Sequence, residues 1–180
     1  MEETYVDAVG VDTTTTETTA SSKNKKKLKV MVAIDESKNS FYALEWAVEH
    51  LKDVMSAEPE TDQEGGLLTL VHVNPSASAT DSVPELMKKA GVQSTNLFTP
   101  ALELCRAKMV KTETMILEGD PKEMICQAVE QNHVDLLVVG RRGLGMIKRA
   151  FLGSVSDYCV QHAQSPVLIV RPPKETSTSK

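Results

Sequence analysis

Short apolar runs alternate with segments of helical periodicity along most of this chain. The runs are rich in Val, Ile, Leu or Met and are bounded by polar residues, a pattern typical of buried strands. Strands are predicted over residues 29–35, 67–73, 111–117, 134–139 and 167–170.

Helical segments separate the runs. Phe41, Leu44 and Val48 recur at helical spacing, and Asp120 followed by Pro121 is a typical N-cap with Pro at the first helical position. Helices are predicted after the first strand, over residues 99–109, from residue 121 and over residues 154–163. Strands that alternate with helices imply parallel pairing through right-handed crossovers, so the fold predicted is an open, doubly wound α/β sheet.

Two tails and one ambiguous segment lie outside this pattern. Residues 1–27 are rich in Thr, Ser and Lys and are predicted to be disordered, and residues 173–180 form a second short tail. The domain is thus predicted over residues 28–172. Residues 74–97 begin rich in Ser, Ala and Thr and then become weakly helical, and we interpret them as a mobile excursion bordering the site.

Composition narrows the class of protein. The chain has 180 residues, 41% apolar and 25% charged, as in an ordinary globular domain. A net charge of −5 and only 4% aromatic residues argue against a nucleic-acid partner. No apolar run is long enough for a membrane span, and the N-terminus lacks a signal peptide. We predict a cytoplasmic location, with the nucleus as a second one through Lys25–Lys27.

Cysteine and histidine usage gives no sign of metal or redox chemistry. Cys105, Cys126 and Cys159 form no CxxC pair and fall in apolar helical patterns, which predicts free thiols packed in a reducing compartment. The histidines are scattered, so no general base is predicted. They are His50, His72, His133 and His162.

The informative stretch is residues 140–154, which connects the fourth strand to the fourth helix. Ligands of doubly wound sheets bind at the carboxyl ends of the strands. Glycines there let backbone amides approach phosphate oxygens, and Gly153 and Ser154 open a helix whose N–H groups and dipole favour an anion. The stretch therefore predicts a phosphate site.

Purely structural explanations stand beside this one. Gly140 fits a strand end, Gly143 fits a turn, and Ser154 with Asp157 fits an S-x-x-D capping box. Neither GxxxxGK[ST] nor a complete GxGxxG motif occurs. Spacing alone leaves both explanations open.

The order Gly140, two residues, Gly143, nine residues, Gly153-Ser154 resembles the ATP-binding signature of the universal stress protein family. Residues 30–37, 117–129 and 135–172 also resemble hallmark stretches of the plant single-domain members, and the match is weakest over 74–97. The resemblance implies a Rossmann-like five-stranded sheet of order 3-2-1-4-5 with helices on both faces. It also implies a nucleotide between the ends of strands 1 and 4, frequent dimers and a role in stress responses.

Carried over residue by residue, the resemblance implies a nucleotide-binding set with a phosphate and ribose end and an adenine end. Phosphate and ribose contacts fall on Gly140, Arg142, Gly143, Gly153, Ser154, Val155 and Ser156. The adenine end falls on Ala33, Ile34 and Val73, with Asp35 near adenine and ribose, and Val139 belongs to the same nucleotide-binding set. Alternatives remain for the second group, namely core packing for the apolar residues and N-capping of the first helix for Asp35. Arg141 replaces a residue that is small in many relatives, and it either adds positive potential at the mouth or points to solvent.

The function that the resemblance implies is binding of ATP, ADP or AMP, with Mg²⁺ as the companion of ATP and no dedicated metal site. We expect a nucleotide-dependent regulator or chaperone-like stress protein with no catalytic residues. The alternatives are a nucleotide-free interaction module and a slow ATPase.

An edge strand suggests how two copies associate. In the order 3-2-1-4-5 the fifth strand is a sheet edge, and Val167–Val170 is an uninterrupted apolar run with nothing to discourage pairing. We predict a homodimer in which the two fifth strands pair antiparallel across a two-fold axis. The alternative is a cover formed by the C-terminal tail or residues 74–97.

Overall fold

Strands and helices alternate through the described part of the chain. The computed structural model describes residues 28–55, 66–74, 83–141 and 153–173. The elements are β1 Lys29–Ala33, α1 Lys38–Met55, β2 Leu67–Asn74, α2 Val83–Ala107, β3 Thr112–Glu118, α3 Pro121–Gln131, β4 Leu136–Gly140, α4 Ser154–His162 and β5 Val167–Val170. Apart from Pro173, the predicted tails lie outside the described residues, as do residues 75–82 of the ambiguous segment.

All the strand pairs are parallel, and the sheet has the order β3-β2-β1-β4-β5. The central strand β1 pairs on both sides, with Met31 opposite Thr69 of β2 and Leu137 of β4. The fold class and the strand order are therefore confirmed.

The sheet separates two hydrophobic cores. Val30 and Val32 of β1 face α1 and α2, where they pack with Leu44 and Phe98. Met31, which lies between them in sequence, faces the opposite side, with α3 and α4. Because both faces of the central strands are covered, their sequences are continuously apolar instead of alternating.

The second helix is much longer than predicted. α2 spans Val83–Ala107 and contains both Gly91 and Pro100, residues that disfavour a helix interior. Leu97, Phe98 and Ala101 are buried in the first core, so tertiary packing favours the helix where local propensity does not. The predicted helix over residues 99–109 was therefore wrong at its start. Most of residues 74–97, which we interpreted as a mobile excursion, belong to α2.

The boundaries of other elements differ from the predicted ones by fewer residues. β1 ends at Ala33, two residues before the predicted Asp35, and β4 begins at Leu136 instead of Val134. Among the described residues, no helix combines the length and apolar character needed to cross a bilayer.

The cysteines are free and pack in the helix layers. Cys105 and Cys159 are buried, Cys126 is half-buried, and the sulfurs of Cys126 and Cys159 are 3.9 Å apart where α3 meets α4. Burial raises the pKa of the Cys105 and Cys126 thiols and raises the pKa of Cys159 to about 12. All are therefore neutral packing groups near neutral pH.

The Cys159 thiol gives stability a pH dependence of defined sign. Its pKa in the folded protein is about 12, above the ordinary value of 9.0. The contribution of the neutral thiol to the free energy of unfolding is therefore complete below about pH 9. It is lost as the pH rises towards about 12, because only the unfolded chain ionises in that range. We expect the free energy of unfolding in urea to fall more steeply from about pH 9 to about pH 11 in the wild type than in Cys159→Ala. Other titrating groups are common to both proteins, so equal slopes would contradict this account.

Candidate functional site

The carboxyl ends of β1, β2 and β4 open into one cavity of about 660 Å³. The N-terminal ends of α1, α3 and α4 close it. It lies where the strand order reverses, because β1 pairs with β2 on one side and with β4 on the other. Both its position and its volume are those of a small-molecule site.

Most of the predicted site residues line this cavity together. They are Ala33, Ile34, Asp35, Val73, Val139, Gly140, Gly153, Ser154, Val155 and Ser156. Arg142 and Gly143 lie outside the described residues. Arg141 is half-buried and is absent from the described cavity wall. Its amide donates to Val170 O at 2.9 Å, which extends the pairing of β4 with β5.

Asp35 organises the turn between β1 and α1. Its carboxylate accepts hydrogen bonds from the amide and the hydroxyl of Ser37. The Ser37 hydroxyl in turn accepts from the Ser40 amide at 3.3 Å, which is the geometry of an N-cap for α1. The alternative that Asp35 is itself the N-cap of α1 is therefore wrong, because Asp35 holds Ser37, the residue that caps the helix.

Gly140 ends β4 against the first turn of α1. A Cβ on Gly140 would lie 2.4 Å from Asn39 O and 2.8 Å from Ser40 N, far inside van der Waals contact. The Asn39 side chain also donates to Arg141 O at 2.6 Å, which ties the two segments together. Packing therefore requires glycine here whether or not a ligand binds, as the structural explanation of this residue proposed.

α4 begins without a side-chain cap. Its N-cap is Gly153, with φ −66° and ψ 154°, and no side chain accepts from the first turn. Ser154 is the first helical residue, and Asp157 Oδ2 accepts from Gln161 at 3.0 Å. The alternative explanation of Ser154 and Asp157 as a capping box is therefore wrong, because that motif requires Ser at the N-cap.

The other helices that open at the cavity are capped. Ser37 caps α1, and Asp120 Oδ1 accepts from the Lys122 amide at 3.2 Å at the start of α3. Among the described residues, α4 therefore differs in having no side-chain cap for the first-turn N–H groups that it presents to the cavity. Such groups, together with the helix dipole, favour an anion supplied by a ligand.

Several wall residues were missed by the sequence analysis. They are Glu36, Ser37, Ser40, Val71, His72, Asn74, Asp120, Pro121, Lys122 and Ile125. His72 Nδ1 lies 3.0 Å from Ile34 O, and its ring meets Phe98 edge-on. The sequence analysis recognised Asp120 as a helix cap but did not place it in the cavity wall. That position could have been predicted, because a helix that follows a parallel strand begins at the carboxyl edge of the sheet, where the cavity lies.

Acidic groups outnumber basic ones on the described wall. Asp35, Glu36 and Asp120 contribute carboxylates, and Lys122 contributes an ammonium group. Within the described ranges no three His, Cys, Asp or Glu side chains are grouped so that they could hold a metal ion. On the described wall, the groups that could accept contact with an anion are the backbone amides of the first turn of α4 and the ammonium group of Lys122.

Comparison with known proteins identifies the family. The model of the universal stress protein family matches residues 28–171. The chain therefore belongs to the universal stress protein family, as the glycine pattern indicated.

Individual relatives agree with this assignment. The chain is 30% identical to a universal stress protein A-like protein of Arabidopsis thaliana, over 79% of this chain and 89% of that one. It is 33% identical to the universal stress protein YxiE of Bacillus subtilis, over 79% and 98% of the two chains. A universal stress protein family protein from Arabidopsis thaliana, crystallised with AMP bound, superposes with a TM-score of 0.59 at 31% identity, covering 84% of this chain and 97% of that one.

The packing of Gly140 predicts a loss of stability that needs no ligand. Gly140→Ala should destabilise the ligand-free protein by about 1–3 kcal/mol, because backbone atoms of α1 must move. Gly91→Ala is the control, since a Cβ there meets nothing within 4 Å. It should stabilise α2 by about 0.5–1 kcal/mol. Urea unfolding measures both, and a neutral Gly140→Ala would contradict the contact.

Proposed function

We propose that this chain binds an adenine nucleotide in the cavity at the carboxyl edge of its sheet. The observation that carries the proposal is the uncapped start of α4 on Gly153, inside a cavity of suitable size. The relative crystallised with AMP supports the choice of an adenine nucleotide.

The phosphate end is assigned to the first turn of α4. Gly153 places no side chain over the helix start, and Ser154 adds an exposed hydroxyl beside it. Ser156 donates to Gly153 O at 3.0 Å, which fixes the turn. A phosphate there would accept from backbone amides that need no rearrangement to receive it.

The adenine end is assigned to the apolar wall. Ala33, Val73 and Val139 pack on the α3 and α4 side of the sheet, next to Ile125. Val73 and Val139 are 7% and 3% exposed, so they serve the core and the cavity wall at once. An apolar wall next to a polar helix start matches a ligand with a flat base and a charged tail.

At the level of the cell, we propose a nucleotide-dependent regulator or chaperone-like protein that acts in stress responses. ATP with Mg²⁺ is one ligand to test and AMP is another. Membership of the universal stress protein family supports the stress role.

Nucleotide binding should be visible as heat and as thermal stabilisation. A ligand at about 100 times its Kd adds about 2.7 kcal/mol, which raises Tm by several degrees in a protein of this size. Titration calorimetry and thermal unfolding with AMP, ADP and ATP, with and without Mg²⁺, measure this. The absence of both binding heat and a Tm shift at millimolar nucleotide would contradict the proposal.

Gly153→Ser tests the site with a residue that suits the backbone at the start of α4. The angles of Gly153 are ones that any residue adopts, and Ser caps a helix a few tenths of a kcal/mol better than Gly, so the cap itself should be no weaker. Circular dichroism and urea unfolding of the ligand-free variant check that it folds. The new hydroxyl should compete with the phosphate and weaken nucleotide binding at least about tenfold, or about 1.4 kcal/mol. Ser154→Ala is the control, with little stability loss because Ser154 is not the cap. Normal binding by a folded Gly153→Ser protein would show that the phosphate lies elsewhere.

We also propose a homodimer through β5. The sheet has two edges, and β3 carries exposed Glu113, Thr114 and Glu118, whereas β5 is wholly apolar. Pro166 O and Val170 O accept from β4, so alternate backbone groups, including those of Ile169, face the open edge. This edge has the free hydrogen-bonding groups and the composition for strand pairing.

Ile169→Pro should dissociate this dimer, because it removes an outward N–H in the middle of the edge. Ile169→Ala is the matched control, since it shortens the same half-buried side chain and keeps the N–H. Light scattering after size exclusion at about 100 μM should give a dimer for the wild type and the Ala variant and a monomer for the Pro variant. A monomeric wild type would rule out the interface.

A further inference from the structure

Lys122 occupies a position that the sequence analysis did not single out. It is the second residue of α3 and lines the cavity. Its Nζ lies 3.4 Å from Asp120 Oδ2 and 5.5 Å from the centroid of the Tyr158 ring on α4. Since Tyr158 follows Ser154 by one helical turn, the two share a face of α4. The ammonium group thus bridges α3 and the side of α4 that leads to its uncapped start.

The charge around Lys122 makes this position sensitive to the ligand. On the described wall three carboxylates, from Asp35, Glu36 and Asp120, accompany this ammonium. Each further phosphate on a nucleotide adds negative charge that these carboxylates repel. A cation on the same wall offsets the repulsion, and the offset grows with the charge of the ligand.

The bond that holds Lys122 in place is a weak one. The side chains of Lys122 and Asp120 are 37% and 47% exposed, and ion pairs in such surroundings contribute little. The ring of Tyr158, 5.5 Å from the ammonium nitrogen, adds a cation–π contact that does not neutralise the charge. Lys122 can therefore exchange the Asp120 carboxylate for a phosphate at small cost.

We propose that Lys122 is a specificity-determining residue that contacts the phosphate chain and sets the preference of the site for nucleotides with more phosphates. Asp120 opposes it by competing for the same ammonium group. This inference rests on the proposed nucleotide function, which it deepens by assigning the discrimination among ATP, ADP and AMP to one pair of side chains.

The experiment measures the affinities of adenosine, AMP, ADP and ATP by titration calorimetry. The four proteins compared are the wild type, Lys122→Met, Asp120→Asn and the control Lys108→Met. In Lys122→Met we expect ATP affinity to fall at least about tenfold, ADP affinity less, and adenosine affinity less than about twofold. In Asp120→Asn we expect ATP affinity to rise several-fold. Asn caps a helix as well as Asp does, so the start of α3 is preserved.

Lys108→Met is the matched control for net charge. Lys108 pairs with Glu49 at 2.7 Å and lies outside the described cavity wall, so removing it makes the same charge change without touching the cavity. Its ratio of ATP to adenosine affinity should equal that of the wild type.

The outcomes separate this inference from the proposed function. If the wild type binds nucleotides and Lys122→Met leaves the ATP to adenosine ratio unchanged, or lowers all four affinities equally, the role of Lys122 is overturned and nucleotide binding stands. An equal change of the ratio in Lys108→Met also overturns it, because net charge alone then explains the effect. If the wild type binds no nucleotide, the proposed function itself fails.

Discussion

The contact between Gly140 and the first turn of α1 is the constraint on which the cavity depends. It brings the end of β4 within van der Waals distance of Asn39 and Ser40, so strand and helix meet backbone to backbone. Ser40 in turn bonds to both Asp35 N and Asp35 O, which fixes the end of β1. The ends of the two central strands are thereby held at a set separation, and the space between them is defined before any ligand arrives.

The helix caps show where the protein leaves hydrogen-bonding capacity unused. In α1 and α3, a first-turn N–H group donates to the side chain of the N-cap residue, Ser37 and Asp120 respectively. α4 keeps glycine at a position where a serine would add stability. Giving up a stabilising cap is typical of sites where function and stability compete.

Much of this architecture could be predicted from the chain. Apolar runs predicted β1, β2, β4 and β5, since parallel strands covered on both faces are apolar at most successive positions. The edge strand β3 was predicted from alternation, because its residues from Thr114 to Glu118 are exposed and half-buried in turn. The start of α2 could not be located, because burial of Leu97 and Phe98 against the sheet decides it over the local effects of Gly91 and Pro100. The cap errors at Asp35 and Ser154 have another cause, since a cap depends on a shift of one or two residues in where the helix begins.

The glycine spacing predicted the correct segment for the site, but it did not show the structural role of each glycine. Gly140 is required by its contact with the backbone of α1. Gly153 has extended backbone angles that do not themselves require glycine. Lys122 carried no sequence signal, because a lysine in the first turn of a helix is unremarkable until Tyr158 and the cavity are seen beside it.

The separation of the two cores by the sheet has a consequence for the lifetime of a complex. α1 is held by one core and α3 and α4 by the other, and these layers meet at the carboxyl edge of the sheet where the cavity lies. We expect the proposed ligand to leave when either layer opens locally. A substitution deep in the core that holds the less stable layer should then shorten the residence time without touching the ligand.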